Sequence, residues 1–281
     1  MKTLQGEYAI KDLCASFDVS RSGFHRWRTA EPCERSHEDT HLSEVLCEVY
    51  RQSRGTYGRP RLVAALRQRG YHCSPKRVAR LMRASKLRGV QRGVFRPQTT
   101  QSADRIPAPN LLLRRKTSLV PGQVWVADIT FIPTKEGWLY LAGVMDQGSR
   151  RILGMAFDSR LDASLCLAAL RQAFGAQPKQ GQRLIHHSDQ GHQYASSSYR
   201  QLLRQKQIHQ SMSRRANCYD NAHMESFWAT LKTEGLPRQT CATRAEARLT
   251  LFDYVHTFYN RVRLHSALGY KSPVDFEQQT N

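Results

Sequence analysis

Three acidic side chains stand where folding could bring carboxylates together. Asp128 lies within the apolar run "QVWVADITFIP", Asp189 ends the short run "QRLIHHSD", and Glu225 lies near the start of "NAHMESFWATLKTEG". An ionised carboxylate inside an apolar strand is costly unless another group compensates its charge. Mg²⁺ prefers hard carboxylate oxygens, and a pair of such ions can activate a nucleophile and stabilise a leaving oxygen at phosphorus. The three acids therefore predict a Mg²⁺ site for phosphodiester chemistry, at which Mn²⁺ could substitute.

Each of these residues also has an ordinary structural interpretation. An aspartate at a strand end commonly shapes a turn, a glutamate in the first turn of a helix suits the helix dipole, and Asp128 could pair with an arginine. Gly191, two residues after Asp189, would let the backbone turn close to that carboxylate. His186 and His187 indicate core packing or stacking rather than zinc, because no further cluster of Cys or His accompanies them. Only the combination of acids predicts a catalytic site.

The elements that would position these acids alternate between strands and helices. From about residue 123 the sequence predicts three consecutive antiparallel strands, a helix, a fourth strand, a helix, a brief fifth strand and a final helix. Asp128 belongs to the first strand, Asp189 to the end of the fourth, and Glu225 to the first turns of the final helix. We therefore predict a mixed α/β fold, with a five-stranded sheet and flanking helices.

The front of the chain predicts two small basic units of helix-turn-helix type. The segment "YAIKDLCASFDVSRSGFHRWR" indicates two short helices, with Ser20 as the N-cap of the second. A second unit follows in "HLSEVLCEVYRQS", "GTYGRPRLVAALRQRGY" and "CSPKRVARLMRASKL", where Ser74 and Pro75 are expected to begin a helix. The basic residues expected to contact DNA in these units are Arg21, Arg26, Arg59, Lys76, Arg77 and Arg80.

The charge of the chain indicates a polyanionic partner. The 281 residues include 43 Lys and Arg against 23 Asp and Glu, for a net charge of +20. Residues 1–117 hold 24 basic and 10 acidic side chains, whereas residues 118–281 hold 19 and 13. Such an excess favours nucleic acid as the partner over a merely solvated basic face. The more basic residues 1–117 are therefore expected to bind the DNA, and residues 118–281 are expected to carry out the reaction on it.

Neither a membrane span nor export is expected. No stretch of about 18 or more apolar residues occurs. The start, "MKTLQGEYAIKDLCASF", lacks the basic region and long apolar run of a secretory signal. The seven cysteines form no CxxC pair, which argues against a disulfide framework. These features predict a reducing, cytosolic compartment.

Three sequence blocks resemble those of a known enzyme family. The blocks "WVADITFI", "HHSDQGHQY" and "SRRANCYDNAHMESFWATLK" resemble the catalytic blocks of DDE-type insertion-sequence transposases, which are relatives of retroviral integrases. The 35 residues between Asp189 and Glu225 match the spacing of that superfamily. Further segments, "GTYGRPRL", "SPKRVARLMR" and "FYNRVRLHSALGYKSPVDFE", resemble orfB-type transposases of the insertion-sequence-three family, so that the resemblance covers nearly all the chain. It implies a ribonuclease-H-like catalytic core in which Asp128, Asp189 and Glu225 bind Mg²⁺.

The resemblance also implies roles for residues around Glu225. Lys232 follows Glu225 by two helical turns and so shares its face, and the resemblance implies that it contacts DNA near the cut. Asn217, Asp220 and Asn221 match the family's N-x-x-Y-D-N run. They are expected to shape the turn and cap the Glu225 helix, with a DNA contact by Asn217 and Asn221 as a further role.

The resemblance, taken with the composition, divides the chain into four regions. Residues 1–36 form an N-terminal helix-turn-helix segment, and residues 37–90 form a second helix-turn-helix DNA-binding domain. Residues 91–117, rich in Pro, Gln, Thr and Arg, form a basic linker. Residues 118–281 form the ribonuclease-H-like integrase catalytic domain, with a C-terminal helical extension.

The predicted function is metal-dependent cleavage and strand transfer at the ends of an insertion sequence, a form of DNA integration and recombination. Water would attack a phosphodiester at the element end, and the freed 3′-hydroxyl would attack a second phosphodiester. The expected partners are double-stranded DNA, namely the terminal inverted repeats of the element and the target, and further copies of the chain. The resemblance implies an upstream-frame orfA product as a further partner, because in that family the upstream product carries a leucine zipper, and this sequence shows no sustained heptad repeat. The resemblance places the protein in the bacterial cytoplasm, at the nucleoid.

Two alternatives stay open at this point. One is a catalytically silent DNA-binding protein derived from a transposase, against which the intact set of carboxylates argues. The other is a ribonuclease that acts on RNA–DNA hybrids with the same core. The basic helix-turn-helix units disfavour this second alternative, because such units bind the major groove of B-form DNA.

Overall fold

The computed structural model describes residues 2–4, 6–29, 31, 33–90, 108–112, 120–176, 184–214, 221–237 and 239–280. Most of the predicted linker 91–117 lies outside this described part, and so do Asn217 and Asp220. Within the chain, two compact units can be separated, Met1–Glu48 and Val49–Asn281. The four regions inferred from the sequence stay a prediction.

The first unit is helical. Ser20 begins its second helix as predicted, because the Ser20 hydroxyl accepts a hydrogen bond from the backbone N–H of Gly23 at 3.0 Å. Phe24 is buried, whereas Trp27 on the same helix is 61% exposed. The helices are α1 (Ile10–Ser16), α2 (Arg21–Thr29) and the first part of α3 (Glu34–Gln52).

The second unit begins with the rest of α3 and two short helices. These are α4 (Arg59–Gln68) and α5 (Pro75–Ala84). The Ser74 hydroxyl accepts a hydrogen bond from the Arg77 backbone N–H at 3.2 Å, so the predicted N-cap of α5 is confirmed. The apolar side chains of α4 and α5 that are buried are Leu62, Val63, Leu66, Val78, Leu81 and Met82.

A five-stranded mixed sheet forms the centre of the second unit, as predicted. Its order is β3-β2-β1-β4-β5. The first three strands pair antiparallel along the chain, while β4 is parallel to β1 and β5 is parallel to β4. The bounds are β1 (Val124–Thr134), β2 (Gly137–Asp146), β3 (Ile152–Asp158), β4 (Ile185–Ser188) and β5 (His209–Met212).

Helices cover both faces of this sheet. The helices are α6 (Ala163–Ala176), α7 (Ser197–Gln205), α8 (Ala222–Glu234), α9 (Arg244–Asp253) and α10 (Pro273–Thr280), with a π-helix at Tyr254–Tyr259 and a 3-10 helix at Ser266–Leu268. Because side chains alternate along a strand, Trp125 and Ala127 of β1 pack with α6 and α7 in one apolar core. Asp128 points to the opposite face, towards α8. This mixed sheet with its flanking helices is a ribonuclease-H-like fold.

None of the helices that the structure describes is both long and apolar enough to cross a bilayer.

Candidate active site

Asp128 is held in place by two hydrogen bonds on the α8 side of the sheet. Its Oδ1 accepts from the backbone N–H of Ile129 at 2.8 Å, and its Oδ2 accepts from the indole Nε1–H of Trp228 at 3.0 Å. Burial, followed by the neighbouring carboxylates of Asp189 and then Glu225, raises the pKa of Asp128 to about 8, although the hydrogen bonds from Ile129 and Trp228 act against this rise. The structure thus brings Asp189 and Glu225 into electrostatic range of Asp128.

Asp189 follows the last residue of β4, at the end of a strand parallel to β1. Its Oδ1 accepts a hydrogen bond from the backbone N–H of Gly191 at 3.0 Å. A Cβ atom at position 191 would lie 3.0 Å from that same oxygen and 3.1 Å from Oε1 of Gln193. The glycine was expected to permit a special backbone turn, but its φ lies outside the left-handed region. It is needed instead for the space beside the carboxylate.

Glu225 and Lys232 lie on the α8 side of the same site. Glu225 is half-buried in the first turn of α8, and burial raises its pKa. Lys232 lies two turns further on and is also half-buried. Burial lowers the pKa of Lys232, and the Asp128 carboxylate acts against that shift. Lys232 therefore interacts with Asp128 of β1. This agrees with the prediction that Glu225 and Lys232 lie on the same face of α8.

The donor chemistry of these acids fits a hard divalent cation. Asp128, Asp189 and Glu225 offer only oxygen ligands, and mutual repulsion together with burial destabilises the charged form of Asp128. A cation would remove that repulsion. Among the residues that the structure describes, no group of three or more Asp, Glu, His or Cys side chains is arranged so that it could hold a metal ion. Asp128 is within electrostatic range of Asp189 and Glu225, but the three acids do not form such a group.

Asn221 has a different local role from the one expected. It occupies the N-cap position of α8, but its side chain makes no capping hydrogen bond. Its Nδ2 donates instead to the carbonyl oxygen of Ala127 at 3.2 Å, and the side chain is buried. Asn221 thus ties the start of α8 to the strand residue next to Asp128. A DNA contact by Asn221 stays a prediction, and the predicted contact by Asn217 lies outside the described residues.

Two residues at the site were missed by the sequence interpretation. Trp228 donates to Asp128, and Gly143 of β2 stands directly opposite Asp128 in the antiparallel register. Helical spacing could have found Trp228, since it follows Glu225 by three residues and so shares its face. A glycine inside a strand could have suggested a close approach at position 143. The identity of the approaching group could not be obtained from spacing.

His186 and His187 belong to the interior of the sheet. The His186 Nε2 lies 3.0 Å from the Tyr199 hydroxyl, and burial lowers the pKa of His186 to about 3. The His187 ring nitrogens lie 2.8 Å from the Ser211 Oγ and 3.0 Å from the Ser213 Oγ. Both rings are fully buried. The two histidines therefore pack in the core, and the zinc interpretation gains no support.

A cationic cavity of about 210 Å³ lies on another side of α8. Burial lowers the pKa of the Arg150 guanidinium, which forms no ion pair with the residues that the structure describes. Arg263, in contrast, binds the Glu234 carboxylate at 2.6 and 2.7 Å. The polar residues of the lining include Arg61, Arg150, His223, Ser226, Arg263 and His265. The cavity can therefore accept an anionic group, with Arg150 as its least compensated cation.

The basic residues predicted in the helix-turn-helix units lie mostly on the surface. Arg77 is half-buried. The exposed members of the predicted set are Arg21, Arg26, Arg59, Lys76 and Arg80. Their position is compatible with contacts to DNA, which stay a prediction.

Comparison with known families gives three matches along the chain. Residues 119–218 match the family described as "Integrase core domain", and residues 225–280 match a second family of the same description. Residues 36–95 match the family described as "HTH-like domain". The two integrase-core matches together include Asp128, Asp189 and Glu225.

Whole-length relatives come from bacterial insertion sequences. The insertion element IS600 31 kDa protein of Shigella sonnei is 42% identical over 95% of this chain and 98% of its own length. The transposase InsF for insertion sequence IS3A of Escherichia coli K12 is 36% identical over 98% of this chain and 96% of its own length. Among solved structures, the HTLV-2 integrase catalytic core domain in complex with magnesium is 15% identical, covers 57% of this chain and 99% of its own, and has a TM-score of 0.43.

Proposed function

Because the chain belongs to the IS3 family of insertion-sequence transposases, we propose that it cuts and joins DNA strands at the ends of an insertion sequence. The observation that carries this proposal is the electrostatic coupling of Asp128 to Asp189 and Glu225. In this proposal the acids of β1, of the residue that follows β4 and of α8 act together at one site. A half-buried carboxylate repelled by two others is unfavourable for stability alone and is suited to a cation that assists phosphodiester chemistry.

Asp128, Asp189 and Glu225 would hold the divalent cation, Mg²⁺ or Mn²⁺. When bound, the cation would lower the pKa of the attacking water and would stabilise negative charge on the phosphodiester oxygens. The fixed orientation of Asp128 and Asp189, each held by hydrogen bonds, limits the reorganisation that such a site requires. Attack by water would break the P–O3′ bond of one strand, leaving a 3′-hydroxyl on one side of the nick and a 5′-phosphate on the other side. In the joining step, that hydroxyl attacks a target phosphodiester and displaces its 3′-oxygen.

Lys232 would hold the DNA close to the reacting phosphate. Its ammonium group is half-buried near Asp128 and makes no ion pair with the described residues. The exposed basic residues of α2, α4 and α5 would bind more distant phosphates, which position the duplex, and only their contacts to base edges would select the terminal inverted repeats. We place this reaction at the nucleoid in the bacterial cytoplasm, with further copies of the chain and an upstream-frame product as partners.

The test is nicking of DNA that carries the element ends, in the presence of Mg²⁺ or Mn²⁺. We expect Asp189→Asn to abolish nicking and to leave DNA affinity intact, because the substitution removes a ligand charge and little volume. Asp158→Asn is the matched control, since Asp158 also ends a strand of the same sheet and has no proposed role. It should nick like the wild type.

Two outcomes would contradict the proposal. If the Asp189→Asn protein nicked DNA at the wild-type rate, Asp189 would have no role in the reaction. Wild-type protein that binds the element ends without nicking them in either metal would instead indicate the catalytically silent DNA-binding protein.

A further inference from the structure

The indole of Trp228 is placed against the first catalytic acid. Trp228 is buried, and its Nε1–H donates to Asp128 Oδ2 at 3.0 Å. The other carboxylate oxygen accepts from the Ile129 backbone N–H. Each carboxylate oxygen has two acceptor positions. One hydrogen bond to each oxygen therefore fixes the plane of the carboxylate and leaves each oxygen able to bind a cation.

The missing side chain at Gly143 makes room for this indole. Gly143 pairs with Asp128 across β1 and β2. A Cβ built at Gly143 would lie 2.8 Å from Cη2 and 3.2 Å from Cζ2 of Trp228, and 3.2 Å from Cε of Met224. Real Cβ atoms do not approach carbon atoms as closely as 2.8 Å. The indole therefore lies across the backbone of β2 at Gly143, where that strand has no side chain.

An indole suits this position better than the other common donors. Trp has one N–H donor and no acceptor or charge. An arginine or lysine at this position would neutralise Asp128 and compete with the cation, whereas the indole orients the carboxylate and leaves its negative charge available. Groups that hydrogen-bond to metal ligands typically change metal affinity or activity by about 10–100-fold when they are removed.

We propose that Trp228 is a positioning residue that orients the Asp128 carboxylate towards the cation, and that Gly143 is the residue that admits it. This inference rests on the proposed function, in which Asp128 holds a divalent cation. Because Trp228 is buried, we assign it no contact with the DNA or with the reacting atoms. Its effect on the reaction passes through the direction in which Asp128 presents its oxygen atoms.

The test measures Mn²⁺ binding by the full-length protein without DNA, using the signal of free Mn²⁺ in electron paramagnetic resonance. We expect Trp228→Phe, which removes the N–H, to raise the Kd for Mn²⁺ by about 10–100-fold. Trp125→Phe is the control, because Trp125 is a buried tryptophan of β1 whose side chain lies on the face of that strand opposite to Asp128. It should leave the Kd for Mn²⁺ unchanged. If Trp228→Phe fails to fold, 3-benzothienylalanine at position 228 keeps the size of the indole and replaces its N–H with sulfur.

A pair of substitutions tests the role of Gly143. Gly143→Ala should lower the Tm and raise the Kd for Mn²⁺ in the wild-type background, because its methyl group would displace the indole. In the Trp228→Phe background, the smaller ring leaves space, and Gly143→Ala should have a much smaller effect on both quantities. Equal effects of Gly143→Ala in the two backgrounds would overturn the role of Gly143.

The outcomes separate this inference from the proposed function. If Asp128→Asn abolishes Mn²⁺ binding and the N–H-deleted protein binds Mn²⁺ with wild-type affinity, the role of Trp228 is wrong and the proposed function stands. If Asp128→Asn itself leaves Mn²⁺ binding unchanged, the metal site is wrong, and the role of Trp228 is lost with it.

Discussion

At the scale of single residues, the site depends on the absence of side chains as well as on their presence. Gly191 leaves the space beside Asp189 that a Cβ would enter at 3.0 Å from Oδ1. We expect Gly191→Ala to displace the Asp189 carboxylate by a fraction of an ångström. Misplacement of a catalytic group by about 1 Å can lower the rate of a reaction by about 100-fold. Because the expected displacement of Asp189 is smaller, we expect the rate of nicking to fall by about tenfold.

The control for this prediction is Gly175→Ala. Gly175 lies in α6 and a Cβ there would meet no atom within 4 Å. Alanine is a better helix former than glycine, so the substitution should raise the free energy of unfolding by about 0.5–1 kcal/mol and leave nicking unchanged. Nicking at saturating DNA and the Tm of each variant are the measurements. An unchanged rate in Gly191→Ala would show that Asp189 tolerates the methyl group.

The same scale shows where sequence interpretation stops. Asp128 could be found because a charge inside an apolar strand requires compensation, and Asp189 because it ends a strand of recognisable pattern. Trp228 could not be assigned to Asp128, because the hydrogen bond depends on the distance between α8 and β1. The expected cap by Asn221 was wrong for a similar reason, since the side chain finds the Ala127 carbonyl on another element.

At the scale of elements, a buried ion pair joins the end of α8 to the segment after the π-helix. Arg263 is 2% exposed and donates two hydrogen bonds to the Glu234 carboxylate. Tyr254 donates a third to the same group at 2.8 Å. Because α8 also carries Glu225, this ion pair fixes the helix on which the third catalytic acid is placed.

Removal of one member of this pair should be costly. Glu234→Gln would leave the Arg263 charge buried without its partner, and we expect the free energy of unfolding to fall by about 3–5 kcal/mol. The control is Asp253→Asn, which breaks a pair with Arg54 whose side chains are 38% and 55% exposed. That pair should contribute no more than about 1 kcal/mol. Urea denaturation of both variants measures the difference, and equal losses would contradict the assignment.

The same pair predicts a dependence of stability on pH. Burial raises the pKa of Glu234, but hydrogen bonds and charge from Arg263 outweigh burial and lower it below its ordinary value of 4.5. A lowered pKa means that the stabilisation is fully present above the unfolded value and is lost as the pH falls through the folded value. The gap in Tm between wild type and Glu234→Gln should therefore be constant above about pH 5 and shrink at more acidic pH. A gap that widens on acidification would contradict this sign.

Element types could be predicted better than the contacts between elements. The three antiparallel strands, the existence of the fourth and fifth strands and the serine caps of α2 and α5 follow from local patterns, whereas the parallel pairing of β4 and β5 was not predicted. The π-helix at Tyr254–Tyr259 has no such pattern, and its buried aromatic side chains show that packing determines it. Glu234 and Arg263 are 29 residues apart in the sequence, and no periodicity in the sequence predicts that they pair.

At the scale of the whole molecule, the net charge of +20 predicts binding to DNA that weakens steeply with salt. Arg150 provides a site-specific test of this effect, since it faces a cationic cavity and lacks an ion-pair partner among the described residues. If Arg150 binds one backbone phosphate, Arg150→Gln should reduce the slope of log K against log salt by about 0.9. Fluorescence anisotropy at several salt concentrations measures that slope.

A matched control is available on the other side of the sheet. Arg171 is exposed on α6, which packs against the face of the sheet opposite Asp128. Arg171→Gln removes the same charge and should leave the slope unchanged. A reduction of the slope in both variants would mean that Arg150 acts only through the overall charge. If neither variant reduced the slope, Arg150 and its cavity would have no part in DNA binding.

The alternation of β1 has a consequence for the lengths that this strand can tolerate. Trp125 and Ala127 pack with α6 and α7, while Asp128 points the other way. Insertion or deletion of a single residue between Trp125 and Asp128 would place both side chains on the same face of the strand. Either the acid would then enter the hydrocarbon interior or the tryptophan would enter the cleft, so that a change of one residue in the length of this stretch would be costly whichever end of the strand kept its place.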